Sequence, residues 1–181
     1  RGRIMDEAAK KNPGKMTAII ELAGEKISEI CVKHQVDVAN FNAPGQTIIS
    51  GRIEAVDKVK AACLAAGAKR AVDLEVSGGF HSLLMFEASG ELKKLLDDTP
   101  MLLPQFPVIS NVNAQEEKLP GQIRQNLVYQ LYSSVRWEDS MRAVLAQGVA
   151  KFVEFGPGRV LKGLMRRIDP AAQVITIEKA E

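Results

Sequence analysis

A chain of 181 residues, 46% hydrophobic and 25% charged, is long enough for one good core or for one core with a small subdomain inserted. Its net charge of +2, with no long basic run interleaved with aromatics, argues against a nucleic-acid partner. No apolar stretch approaches the length of a membrane span and no signal pattern opens the chain, so no membrane partner is expected.

Residues 1–11 read as a short amphipathic helix stopped by Asn12-Pro13-Gly14. The opening, Arg1-Gly-Arg-Ile-Met-Asp-Glu, looks like the middle of a helix and lacks an initiator Met, which suggests a piece of a longer protein. Residues 16–20 form a candidate strand. A helix over 24–34 follows, with Ile27, Ile30, Cys31 and His34 on one face, and His34 is placed to satisfy its last carbonyls. A second strand is expected at 36–41, a turn at 42–45 and a third strand at 46–50. Ile53, Val56, Val59 and Cys63 mark another helix, closed near Gly67. In residues 71–76, Val72, Leu74 and Val76 alternate with Asp73 and Glu75 as in a fourth strand. The order β-α-β-β-α-β is that of a ferredoxin-like unit. Cys31 and Cys63 fall on apolar stripes and have no Cys-x-x-Cys partner, so buried thiols in a reducing cytosol are expected rather than a metal site or disulfide.

Beyond His81 the pattern changes to alternating helices and strands. Helices are expected at 82–96, at 120–132 with Ile123, Leu127 and Leu131 inward, at 137–147, and from the Gly156-Pro-Gly158 turn through 168. Strands are expected at 107–110, 151–155 and 173–177. Gly156-Pro-Gly158 could pass for a phosphate loop, but a tight strand-to-helix turn is the simpler reading.

One stretch carries chemistry. Ser77-Gly-Gly-Phe-His-Ser82 places His81, one of two histidines, at the break between an alternating segment and a helical one. Strand-to-helix turns commonly mount reactive groups, and imidazole titrates near neutral pH. Gly78 and Gly79 would let the backbone turn sharply before it. A histidine that merely caps the turn fits the same spacing.

Four ordered motifs carry a family resemblance: Asn40-Phe-Asn-Ala-Pro-Gly-Gln-Thr-Ile-Ile-Ser-Gly51, Gly67-Ala-Lys-Arg70, Ser77-Gly-Gly-Phe-His-Ser82 and Phe155-Gly-Pro-Gly-Arg-Val-Leu161. Together with residues 128–137 they closely resemble the malonyl-CoA:acyl carrier protein transacylases, over essentially the whole chain. The resemblance implies an α/β fold: an α/β-hydrolase-like large subdomain with an inserted ferredoxin-like βαββαβ small subdomain. Residues 1–12 would be a helix of the large subdomain, 13–78 the small one and 79–181 the C-terminal part of the large one. It further implies a ping-pong Ser-His reaction that moves malonyl from CoA to the pantetheine thiol of acyl carrier protein. No cofactor is implied, CoA entering as a substrate thioester. The family setting implies a soluble cytoplasmic enzyme, monomeric once an N-terminal segment is present.

By resemblance, His81 is the base, oriented by the backbone carbonyl of Gln130, and Arg1 pairs with the malonyl carboxylate. A planar fork of donors suits that carboxylate. Phe80 would restrict room for an α-methyl branch, or simply pack. Asn42 and Gln46 would line the site, or serve their turn. Lys69 and Arg70 could meet CoA phosphates or the acidic carrier, or be solvated charges.

The family's Gly-His-Ser-Leu-Gly elbow, upstream of the arginine motif, has no counterpart here: no Gly-x-Ser-x-Gly occurs in the sequence. The oxyanion-loop glutamine lies upstream as well. The 181 residues by themselves are therefore expected to be inactive. Gly79 stands where many relatives carry proline, which predicts a more flexible approach to His81, and Leu84-Met-Phe-Glu87 lacks the usual Lys-Pro. The alternatives are a related acyltransferase domain of a polyketide synthase and a non-catalytic ferredoxin-like binding module.

Overall fold

The β-branched runs near residues 16–20 and 46–51 become the two central strands of a four-stranded sheet. A computed structural model describes residues 1–179. In it β1 (Lys15–Ile20) and β3 (Gln46–Gly51) pair antiparallel, and each buries four or more consecutive residues. Continuous burial means that both sheet faces are covered. β2 (Asp37–Ala43) and β4 (Arg70–Asp73) complete the sheet in the order β2-β3-β1-β4, every neighbour antiparallel. Helices α2 (Gly24–His34) and α3 (Ile53–Ala65) cover one face. Ile19, Ile27, Ile49, Val56, Val59 and Cys63 meet there with no solvent exposure. Each such aliphatic side chain contributes roughly 1.5–3 kcal/mol through burial. This is the ferredoxin-like βαββαβ unit.

The other face carries Met16, Ala18, Ala39 and Ile48, which pack with Leu74 and Phe80 toward the rest of the chain. There, α1 (Gly2–Lys11) lays Ile4, Met5, Ala8 and Ala9 against Met85 and against Ala88 and Leu92 of α4 (Phe86–Asp97). A short antiparallel pair, β5 (Val108–Ile109) with β6 (Glu116–Glu117), precedes α5 (Pro120–Tyr129) and α6 (Trp137–Ala146). The chain then forms β7 (Lys151–Phe155), α7 (Val160–Ile168) and β8 (Gln173–Ile177), with β7 and β8 parallel. One face of that pair packs Phe152 and Val174 inward, while Val153, Phe155, Ile175 and Ile177 on the other are exposed.

Several boundaries move from the sequence expectation. β2 continues through Asn42 and Ala43, so the hairpin turn is only Pro44-Gly45, with Gly45 at φ 70°. β4 ends at Asp73, after which the chain leaves β1 to reach the larger layer, and Val72 and Val76 of its alternating face stay 48% and 43% exposed. The end of α2 is satisfied by backbone, not by His34: Gln35 turns left-handed and the amides of Gln35 and Val36 donate to the last carbonyls. The helix expected at 82–96 begins as a 3-10 turn, Leu83–Met85, before α4. In α5 Val128 is the buried residue while Leu127 is 39% exposed, and the helix stops at Tyr129 instead of 132. That early stop releases residues 130–136 as a strap.

Candidate active site

His81 is set by three layers of chain. Behind it, residues 78 and 79 thread between α1 and the residues ahead of β1. A Cβ on Gly78 would lie 2.4 Å from the Cβ of Ala9, and one on Gly14 2.6 Å from the backbone nitrogen of Gly79. Neither Gly78 nor Gly79 has a positive φ, so their glycines serve close approach and not a sharp turn. A Cβ on Gly79 would meet Leu84 at 2.9 Å and the Gly51 carbonyl at 3.1 Å, so this approach to His81 is tightly packed, against the expectation of flexibility. His81 itself takes φ 56°, a left-handed conformation that a non-glycine residue adopts only when its surroundings hold it.

After His81, Ser82 closes the corner. Its hydroxyl donates to the Gly79 carbonyl at 2.6 Å and accepts from the Leu84 amide at 3.3 Å. The Leu83 amide donates to Asp37 Oδ2 at 2.9 Å, which ties the corner to β2. On the far side of the ring, the strap runs along the outer edge of β2. The Val135 amide donates to the Ala39 carbonyl at 2.8 Å, the Phe41 amide to the Val135 carbonyl at 2.9 Å, and the Ser134 hydroxyl to the Val38 carbonyl.

The strap carries the partner of the imidazole. His81 Nδ1 lies 3.2 Å from the Ser133 carbonyl, which can only accept, and 3.4 Å from the Gln130 side-chain nitrogen, which can only donate. The shorter contact favours a neutral ring that donates from Nδ1 and keeps the Nε2 lone pair. Among the described residues Nε2 has no hydrogen-bond partner. The close carbonyl is thus that of Ser133; the Gln130 carbonyl acts on the ring more weakly, in the same sense. The Gln130 side chain adds to the strap, its amide donating to Ser133 at 3.0 Å and to Ser134 at 3.4 Å. Burial and then the positive charge of Arg1 push the His81 pKa below its usual value, against the pull of the two carbonyls. The ring is therefore neutral at pH 7 and able to take a proton.

Arg1 is brought close enough to His81 to act on its charge. Phe80 packs against two clusters at once, the α1–α4 core and the inner face of the sheet, so it has a packing role. Asn42 falls where the β2–β3 register shifts between Phe41 and Ala43, on a strand bulge and not in the turn. Gln46 accepts from Arg167 at 2.7 Å, and Arg167 also donates to the Pro44 carbonyl at 3.2 Å, so α7 grips the hairpin. Lys69 pairs with Glu21 at 2.9 Å, and Arg70 is exposed at the start of β4.

Gly156-Pro-Gly158 is not an open phosphate loop. The buried Glu154 carboxylate accepts from the amides of Leu161 and Lys162, at 2.8 and 3.0 Å, and fills the start of α7 with its own negative charge. Glu154, Asp37 and Ser133 are the residues that sequence reasoning missed. Each acts through backbone geometry at a distance in sequence, which no local spacing signals. A cleft of about 1050 Å³ between α2, the β2–β3 hairpin and α6 holds neither His81 nor Arg1. No group of three or more metal-ligating side chains occurs among the described residues, and no described helix is long and apolar enough to cross a membrane.

A histidine fixed through one nitrogen and free at the other, beside an arginine, is an arrangement able to accept a proton next to a bound anion. The acyl transferase domain family matches residues 1–177, and the chain belongs to that family. It is 39% identical over its full length to a malonyl CoA-acyl carrier protein transacylase of Bacillus subtilis, covering 59% of that protein. Against the transacylase of Escherichia coli K12 it is 43% identical over 93% of this chain and 56% of the other. A malonyl-transacylase solved with its type II acyl-carrier protein superposes with a TM-score of 0.94 at 40% identity, over 99% of this chain and 59% of that one. An acyl carrier protein S-malonyltransferase of Vibrio cholerae gives 0.95, also at 40% identity, over 99% of this chain and 60% of that one. The chain thus spans about three fifths of the relatives it matches.

Proposed function

We propose that this chain supplies the base and the carboxylate clamp of a malonyl transfer from CoA to acyl carrier protein. The observation that carries the reading is the imidazole held at Nδ1 by the Ser133 carbonyl, with Nε2 unpartnered and Arg1 close by. In this reading a serine hydroxyl, contributed by a part of the protein outside these 181 residues, gives its proton to Nε2 as its oxygen attacks the malonyl thioester carbonyl. The imidazolium returns the proton to the departing CoA sulfur, leaving malonyl esterified to the serine. In the second half the pantetheine thiol gives its proton to Nε2 and attacks the ester, and the serine oxygen recovers the proton as it leaves.

Arg1 binds the malonyl carboxylate through its fork of N–H donors and so favours a dicarboxylic acyl group over acetyl. Phe80 narrows the space beside the acyl chain, Asn42 and Gln46 border it, and the carbonyl of Gln130 joins that of Ser133 behind the ring. Lys69 and Arg70 steer the anionic CoA or carrier. The divisions at residues 12/13 and 78/79, a monomeric state and a cytoplasmic setting belong to the same proposal. The transfer draws on no cofactor.

The test is the intact mass of the full-length protein before and after malonyl-CoA. A gain of one malonyl group that disappears in His81→Ala, with the fold retained by circular dichroism, supports the reading. Equal acylation of the two proteins removes His81 as the base.

A further inference from the structure

We propose that Asp37 is a positioning residue for His81, holding the imidazole from the edge of the ferredoxin-like sheet. The inference rests on the reading of His81 as the base, and it is carried by one juxtaposition. Five consecutive residues of β2, from Asp37 to Phe41, hold both sides of the histidine. The strap bonded to Nδ1 is laid on β2 through Val38, Ala39 and Phe41. The corner that carries the His81 backbone is laid on the same strand through one bond, from the Leu83 amide to Asp37 Oδ2 at 2.9 Å.

Remove that bond and the corner keeps its packing through Gly78, Gly79 and Phe80 but loses its hydrogen bond to β2, while the Ser133 carbonyl stays where β2 puts it. The Nδ1–carbonyl distance is then no longer fixed by a common frame. His81 needs such a frame more than most residues, because its left-handed backbone, φ 56°, persists only when the surroundings over-determine it. Asp37 acts through this bond, in which its carboxylate oxygen accepts from the backbone of the corner. Leu83, whose side chain is 68% exposed, contributes only its N–H.

Three substitutions in the full-length protein separate these roles. Asp37→Ala removes the acceptor. Asp37→Asn keeps an acceptor oxygen and removes the charge. Leu83→Pro removes the donor alone: position 83 is the first residue of the 3-10 turn, and Ser82 before it is extended, at φ −134° and ψ 170°, as a residue preceding proline requires. The readout is the tautomer of His81 by nitrogen-15 NMR of histidine-labelled protein, assigned with His81→Asn.

Wild type and Asp37→Asn are expected to hold the Nδ1–H form. Asp37→Ala and Leu83→Pro are expected to lose that preference while still melting cooperatively. If Asp37→Ala does not fold, Leu83→Pro and Asp37→Asn carry the comparison. A wild-type tautomer in Asp37→Ala or in Leu83→Pro overturns the proposal, and so does an Asp37→Asn that loses the preference. In malonyl transfer the same two disrupted variants should lose about ten- to a hundredfold in kcat with KM little changed. The tautomer does not depend on turnover, so a wild-type protein without transfer activity would sink the functional reading and leave this test intact.

Discussion

His81 and Arg1 form a coupled pair, and the coupling has a sign that can be measured. Burial lowers the pKa of the ring first, and the Arg1 charge lowers it further by opposing a second positive charge nearby. A base works only when unprotonated, so in the proposed malonyl transfer kcat/KM should rise with pH through the lowered His81 pKa and level off above it. Arg1→Ala removes one of the two lowering causes, and the acid limb of the profile should shift to higher pH. A lysine at position 1 keeps the charge and should keep the limb, while losing the planar fork and with it malonyl affinity. An acid limb unmoved in Arg1→Ala would show that the two groups do not interact. The same ring affects stability: the folded state binds its proton less readily than the unfolded state, so its contribution is present above the ordinary histidine pKa and falls as pH drops toward the folded value.

At the scale of elements, the start of α7 shows how one side chain replaces a loop function. Glu154 projects from β7, is buried, and accepts from two amides that would otherwise lack partners at the helix start. Glu154→Ala should cost about 1–2 kcal/mol in denaturant unfolding, with Glu154→Gln recovering part of it through its one remaining acceptor oxygen. A cost near zero for Glu154→Ala would mean that water satisfies those amides equally well. This element also shows the limit of sequence reading. The strand at 151–155 and the helix after Gly158 were legible from periodicity and glycine placement, as were both helices and the central strands of the ferredoxin-like unit. What fills the helix start was not, because Glu154 lies on a strand seven residues before its first donor. The strap at 130–136 was hidden for a related reason: its apolar spacing continues the helical pattern of α5, while its real partner is the edge of β2, about ninety-five residues earlier. His81 was legible as a residue on a corner. Its tautomer was not, since Ser133 and Asp37 reach it only through tertiary contact.

The whole molecule is held at the place where its two layers pass through each other. Phe80 touches both the α1–α4 core and the sheet, Ala43 of the hairpin is buried with Leu164, Met165 and Ile168 of α7, and the strap extends the sheet into the larger layer. The tightest point is Gly78 against Ala9, where a new methyl would sit 2.4 Å from an existing one. That distance is far inside contact, and a retreat of α1 would pull Ile4, Met5 and Ala8, which share the buried stripe with Ala9, away from the core they pack. Gly78→Ala should therefore destabilise by about 1–3 kcal/mol, the usual cost of overpacking a filled core. Ala9→Gly alone should cost about 1 kcal/mol through helix propensity. In the double variant the clash is gone, so the combined loss should be smaller than the sum of the two, with a coupling of about 1 kcal/mol or more. Simple additivity in that cycle would mean that the layers slide apart freely at this point. Coupling would mean that the corner bearing His81 is clamped between them, and that a change in either layer reaches the imidazole through it.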